Sequence, residues 1–247
     1  VGAFALHALV VCNTPESLAV SMDLYRQHPQ WLTQVHAAPG PFVGESVLHI
    51  LAVNRREDLL IELIDQIKQK LETEDAKNLI LGHAQGIFFD GLPMRYFGAS
   101  PLAFACCFDQ RDAVIALLST GFCDLNQPED GCKKTGLLPL HAVVANSQEA
   151  MYEFLTYELP PRYRADPKSL TMFGSLTPDL ASLSPLQLAG SLGDRALVRH
   201  ILRGQCEVMW VWGPVTQFAL SLEGIDASGK GGGDIMELIV RTGASKR

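Results

Sequence analysis

The amino-acid sequence predicts an all-α solenoid of about five helix pairs with long connecting loops, followed by a small segment of strand and helix. Two observations support this fold class. A short phrase containing leucine recurs five times, and a segment with apolar residues at helical spacing follows each copy. A single helix pair of this kind leaves an apolar face that only the next pair can cover, so the pairs are expected to stack.

The first helix of each pair begins at the recurring phrase, a small or polar residue followed by x-Leu-His or a close variant. The five anchor leucines are Leu6, Leu48, Leu102, Leu140 and Leu186. In three copies a proline precedes the leucine, which suits a first helical turn because its missing N–H has no intrahelical partner there. The second helices are expected at 17–26, 59–71, 113–118, 150–155 and 196–202.

Small and imidazole side chains complete the phrase. The small residues that would let neighbouring first helices approach closely are Ala8, Ala105, Ala142 and Ala189. Three histidines occupy equivalent positions, His7, His49 and His141. An imidazole at this position can bond to backbone groups of neighbouring loops, so we interpret the three as structural.

The phrase resembles the T-P-L-H-x-A signature of ankyrin repeats, and residues 118–126 resemble the turn that follows the second ankyrin helix. The anchor leucines are separated by 42, 54, 38 and 46 residues, against about 33 in the standard repeat. The excess is expected in the loops between repeats, which would project as fingers. Residues 1–206 are therefore predicted to hold the repeats.

The longest of these loops, between Leu48 and Leu102, contains four aromatic residues outside the helical pattern. These residues and a neighbouring arginine are Phe88, Phe89, Arg95, Tyr96 and Phe97. Two interpretations are open at this point. Exposed aromatic side chains would mark a finger that contacts a partner; alternatively, they fold back onto the finger itself.

Composition excludes several functional classes. The formal net charge is −7, and no clustered lysines and arginines are available to neutralise a nucleic-acid backbone. The six cysteines form no C-x-x-C pair and indicate a reducing, cytosolic compartment. Two of them, Cys123 and Cys132, lie near loops and are expected at the surface. No apolar run reaches the roughly 18–20 residues that span a bilayer, and the start at Val1 suggests a piece of a longer protein.

No enzymatic constellation is apparent. The histidines lack zinc-type spacing, and the sequence has no G-x-S-x-G, H-E-x-x-H or EF-hand pattern. Residues 224–230 match G-x-x-x-x-G-K, but Gly231 follows where a phosphate-binding loop needs Ser or Thr. We expect a linker loop there, no catalytic residue, no metal site and no cofactor.

Residues 207–247 carry a second resemblance, to the linker domain of vanilloid-type TRP channels. The segment Trp210-Val211-Trp212-Gly213-Pro214-Val215 is similar to the W-x-x-G-P stretch that opens that domain. Residues 222–226 and 235–240 resemble the strand and helix that follow it. Gly-Pro after two tryptophans also favours a turn between two short strands. The aromatic finger resembles the third finger of these channels, whose cytoplasmic region has six ankyrin repeats.

The resemblance implies a cytosolic domain of one subunit in a homotetrameric, often calcium-permeable, cation channel, attached to the membrane through another part of its chain. In these channels the third finger of one subunit packs on the linker strands of its neighbour. By that implication the partner-binding residues are the five finger residues above and Trp210, Trp212, Gly213 and Pro214. Regulatory proteins such as calmodulin are further implied partners.

One departure from the family concerns ATP. Basic residues beside an inner helix bind the ATP phosphates in several relatives, whereas the matching positions here are Ala3 and Ala8. We expect weak or no ATP binding. The alternative function is a free-standing ankyrin adaptor that binds a protein on its concave face. The segment from Trp210 argues against it, because ordinary adaptors end in a polar capping repeat.

Overall fold

Five helix pairs build the solenoid in the computed structural model, which describes residues 4–37, 39–88, 99–222, 225, 234, 235 and 237–240. The inner helices are α1 (Ala5–Cys12), α3 (Val47–Val53), α6 (Pro101–Cys107), α8 (Pro139–Ala145) and α10 (Pro185–Leu192). The outer helices are α2 (Pro15–Gln27), α4 (Glu57–Lys70), α7 (Arg111–Leu118), α9 (Glu149–Glu153) and α11 (Arg195–Gly204). Consecutive inner helices contact each other along the whole series. The predicted fold is confirmed.

Shorter elements extend the pairs. An additional helix, α5 (Thr73–Ile80), follows the second pair, and a π-helical turn, Phe154–Glu158, continues α9. Short 3-10 turns lie in the loops at Pro29–Thr33, Pro128–Asp130, Pro161–Tyr163 and Pro178–Leu180. These pieces account for part of the loop length that exceeds a standard repeat.

The inner helices begin where the sequence places them. Ser184 precedes α10, and its hydroxyl accepts from the backbone N–H of Gln187 at 3.2 Å, while the Gln187 side chain accepts from the Ser184 N–H at 2.9 Å. Ser100 caps α6 in the same way through the N–H of Ala103 at 3.4 Å. Each cap satisfies N–H groups that have no partner within the helix, a contribution of about 1 kcal/mol.

A residue in the left-handed region follows every inner helix, one or two positions after its last residue. The five residues with positive φ that follow the inner helices are Asn13, Arg55, Asp109, Ser147 and Gly193. Each lies seven positions after its anchor leucine, and all five anchor leucines are buried. The inner helix and the turn after it therefore have nearly constant length, whereas the outer helices range from 5 to 14 residues, so the variation in repeat length lies in the outer helices and in the fingers.

Neighbouring fingers are hydrogen-bonded backbone to backbone. The N–H of Gln85 donates to the carbonyl of Val43 at 2.7 Å, and that of Phe88 donates to Pro41 at 2.9 Å. Gly86 lies between these two bonds, and a Cβ atom there would overlap the Pro41 carbonyl. The absence of a side chain at Gly86 allows the fingers to approach this closely.

An antiparallel hairpin follows the last repeat. Strand β1 (Cys206–Trp212) pairs with β2 (Val215–Leu220) through a two-residue turn whose first residue, Gly213, has φ of 58°. Beyond it, residues 235 and 237–240 are helical, and Ile235 packs against Gly190 of α10.

The predicted succession of strand and helix is thus confirmed, with one correction of position. Strand β2 ends at Leu220, ahead of the strand expected at 222–226; Leu222 and Ile225 are the described residues of that range, and both lie outside strands. Because Cys206, the first residue of β1, pairs with Leu220, strand β2 has no partner residue beyond Leu220 and ends there. In the part of the chain that the structure describes, no helix is long and apolar enough to cross a bilayer.

Candidate partner-binding surface

The hairpin exposes its large apolar side chains. Most of them, from Val208 to Leu220, have exposed fractions between 36% and 79%, with Trp212 the most exposed. Gly213 and Pro214 form the exposed tip. An isolated two-stranded hairpin is marginally stable in water, and contiguous exposed apolar surface marks interaction sites. This element therefore has the properties of a docking surface.

Side chains alternate between the two faces of the hairpin, and a β-bulge sets which residues share a face. Val208 pairs with Phe218 and Trp210 with Gln217, so Met209 is an extra residue on β1. Directly opposed residues lie on the same face of a sheet. One face, the Trp face, carries Trp210, Trp212 and Val215; the other, the Phe218 face, carries Val208, Val211, Phe218 and Leu220. Because both faces expose apolar side chains, a partner that covers one face leaves the other in contact with water.

The aromatic finger is described only up to Phe88. Its ring lies 4.7 Å from the Phe42 ring of the preceding finger, yet 48% of the residue stays exposed. Phe88 therefore packs against the preceding finger rather than its own and still presents half its surface, and the finger as a partner contact stays a prediction. The other predicted contact residues of this finger, Phe89, Arg95, Tyr96 and Phe97, lie outside the described residues.

The base of the next finger is organised around a buried carboxylate that the sequence reasoning did not single out. Asp130 accepts from the backbone N–H of Asp124 at 2.8 Å and from the Ser100 hydroxyl at 3.2 Å. Burial raises the pKa of the Asp130 carboxyl to about 6, and the same two hydrogen bonds act in the opposite direction. One side chain thus joins the cap of α6 to the turn after α7. The Asp130-Gly131 pair, which follows the ankyrin-like turn where the next finger begins, is the sequence signal that marks it.

The repeated histidines are buried and neutral. The Nε2–H of His49 donates to the Ala99 carbonyl at 3.2 Å, while its Nδ1 faces the Ser46 hydroxyl at 2.9 Å. Burial lowers the pKa of His49 to about 3, and those of His7 and His141 to about 4. This environment agrees with a structural role. Within the described ranges, no group of three or more His, Cys, Asp or Glu side chains is placed to hold a metal ion.

The cysteines are free, and the expectation of two surface thiols was wrong. Cys123 and Cys132 are buried, because the loop carrying them folds around Asp130 and against the neighbouring finger. Burial raises the pKa of the Cys107 thiol to about 12 and raises those of Cys106 and Cys123 well above the usual range. Such thiols stay protonated and are poor nucleophiles.

The predicted ATP positions are only partly described. Ala8 is exposed on α1 and offers no charge to a phosphate, whereas Ala3 lies outside the described residues, as do residues 226–230 of the G-x-x-x-x-G-K match.

Comparison with known proteins identifies relatives among ion channels. Transient receptor potential cation channel subfamily V member 6 of Homo sapiens is 28% identical over 147 residues, which are 60% of this chain and 18% of that protein. Subfamily V member 5 is 27% identical in Homo sapiens over 55% of this chain and 18% of the relative. The Rattus norvegicus member 5 is 26% identical over 93% of this chain and 29% of the relative. The chain thus matches less than a third of the length of these channels.

Among solved structures, the ankyrin repeat domain of Bcl-3, a member of the IkappaB protein family, aligns with a TM-score of 0.51 and 19% identity, covering 98% of this chain and 87% of that one. This likeness establishes the ankyrin fold and nothing about ligands. No family model matches the sequence. The predicted resemblance to vanilloid-type channels is confirmed by the channel relatives.

Proposed function

We propose that this chain is the cytoplasmic ankyrin-repeat domain of a TRP-type cation channel subunit, where it assembles and couples neighbouring subunits. The exposed apolar hairpin that directly follows the last repeat carries the proposal. In a monomeric adaptor Trp210 and Trp212 would stay exposed to water. Fully burying a large apolar side chain stabilises a protein or complex by about 1.5–3 kcal/mol, so these exposed side chains favour a partner that covers them. Channel relatives that align across the repeats support the same assignment.

The proposed contact joins two copies of the chain in a homotetramer. The aromatic finger of one copy, with Phe88, Phe89, Arg95, Tyr96 and Phe97, packs on the hairpin tip of the next, with Trp210, Trp212, Gly213 and Pro214. Exposed Phe88 and the exposed Trp face are the described parts of this contact. The two surfaces differ, so the contact is heterologous and closes into a ring when the rotation between copies fits.

In this role the domain catalyses no reaction and needs no cofactor. Its ion selectivity and membrane attachment belong to the remainder of the parent channel. Regulatory proteins such as calmodulin are proposed as further partners. ATP is proposed to bind weakly or not at all, and isothermal titration would contradict this by giving a micromolar dissociation constant.

The test is electrophysiological and uses the full-length parent protein. We expect Phe88→Asp and Trp212→Asp each to reduce tetramer yield or current, because a carboxylate cannot be buried without a partner. Val20→Asp, an equally exposed position on the outer helix α2, is the matched control and should leave the current unchanged. Wild-type currents and wild-type tetramers in both the hairpin and the finger variant would contradict the proposed contact between copies, whereas a parent protein that conducts no current would favour the adaptor.

A further inference from the structure

The proposed function leaves one face of the hairpin without a partner. The aromatic finger would cover the Trp face, whereas the Phe218 face, defined above, keeps exposed Val208, Val211 and Phe218. These side chains form a continuous apolar surface on one side of a two-stranded sheet. Such a surface on a folded domain indicates a second docking contact.

A second finger presents matching apolar side chains. Residues 170–176, called here the Phe173 finger, expose Leu170, Phe173 and Leu176, with Phe173 at 72%. Their backbone is held firmly: the Met172 N–H donates to the Gly136 carbonyl at 2.7 Å. Apolar side chains on a backbone fixed in this way lose little conformational entropy when they bind, which favours affinity.

The Phe173 finger and the aromatic finger flank a common turn. The Lys134 ammonium donates to the carbonyl of Gln85 at 2.9 Å, three residues before Phe88. The Lys134 carbonyl in turn accepts the N–H of Leu176 at 2.9 Å. A single residue therefore contacts both fingers, and the two apolar surfaces lie on either side of it.

Charge favours a second copy as the partner of the hairpin. The hairpin, Cys206–Leu220, contains no lysine or arginine, and its one charged residue, Glu207, lies on the Trp face because it pairs with Ala219. The Phe218 face therefore carries no charged side chain. With a net charge of −7, two copies repel each other overall, and an uncharged face allows a contact between them without local charge repulsion.

We propose that the two fingers of one copy hold the hairpin of the next copy from both sides, with the Phe173 finger covering the Phe218 face. This inference rests on the proposed contact between copies and adds the second acceptor and the face it takes. Because the bulge at Met209 places Val208 and Trp210 on opposite faces, a contact with the Trp face alone leaves Val208 exposed.

Disulfide trapping between two variants tests the inference. In a background of Cys12→Ser and Cys206→Ser, one preparation carries Phe173→Cys and the other carries Phe218→Cys. They are mixed at roughly millimolar concentration, comparable to the effective concentration within an oligomer, and oxidised mildly. Because the contact is heterologous, we expect the mixture to give at least tenfold more disulfide-linked dimer than either preparation alone. Adding Leu176→Ser to the finger variant should reduce the yield about tenfold.

Two further mixtures separate this inference from the proposed function. Phe173→Cys with Gln217→Cys, which lies on the Trp face, should give no dimer above the level of the single preparations. Phe88→Cys with Trp212→Cys tests the aromatic contact alone. If only this last mixture links, the second acceptor is wrong and the proposed function stands. If only Phe173 and Phe218 link, the inference holds and the aromatic contact is wrong. If neither pair links, both are overturned.

Discussion

At the scale of single residues, Asp130 couples the stability of the solenoid to pH. Its carboxyl has a pKa of about 6 in the folded protein, above the ordinary value of 3.8, because burial disfavours the charged form. The folded state therefore binds the proton more tightly than the unfolded state. The contribution of Asp130 to stability is complete below about pH 4 and is lost as pH rises through about 6.

This direction of the pH dependence gives a prediction for Asp130→Asn, a substitution that keeps the shape of the side chain and removes its titratable carboxyl. Between pH 4 and 7 the wild type should lose about 2 kcal/mol of unfolding free energy relative to the variant. Urea denaturation at several pH values measures the difference, and taking a difference removes the effect of other groups such as Glu45, whose pKa burial raises to about 7. A constant difference across this range would contradict the buried, raised carboxyl.

At the scale of elements, the fingers depend on close backbone contact. Gly86→Ala places a methyl group against the Pro41 carbonyl, so the hydrogen bonds at Gln85 and Phe88 must break or shift. We expect a loss of about 1–3 kcal/mol and faster hydrogen exchange at residues 83–88. Gly121→Ala is the control: its φ of +76° is unfavourable for alanine, but no atom lies within 4 Å of the added Cβ. Equal exchange at 83–88 in both variants would contradict the argument.

The elements also show how far sequence reasoning reaches. The anchor leucines predicted all five helix pairs because the inner helix and the turn after it have nearly the same length in every repeat. The Gly213-Pro214 turn predicted a hairpin, but not the bulge at Met209, since strand register depends on pairing rather than on local propensity. The close approach at Gly86 was not predicted either, because the sequence does not specify which loops touch.

Only part of the candidate site could be predicted from the sequence. Exposed aromatic and tryptophan residues stood outside any helical pattern, so Phe88, Trp210 and Trp212 could be named in advance. The Phe173 finger was missed because its apolar residues look like ordinary loop packing until their exposure is known. Cys123 was placed at the surface for the opposite reason: its position near a loop gave no sign that the loop folds inward around Asp130.

At the scale of the whole molecule, the chain covers the end of its own solenoid. A stack of repeats leaves an apolar face on the last pair, which needs a cap. Here Ile235, from the helical residues beyond the hairpin, is buried against Gly190 of α10. A Cβ atom added at Gly190 would lie 3.4 Å from Cγ2 of Ile235. The hairpin therefore lies in the chain between α11 and this cap, which both belong to or pack on the last repeat.

The last prediction follows from that cap. Ile235→Ala removes buried methyl groups from the end of the core and should lower the free energy of unfolding by about 2–5 kcal/mol. Hydrogen exchange should rise first in α10 and α11, because a solenoid loses stability at the repeat nearest the change. Val240→Ala, an exposed position in the same helical segment, should alter stability by less than about 0.5 kcal/mol. If the two variants unfold alike, Ile235 does not cap the solenoid, and the hairpin is held to the last repeat by α11 alone.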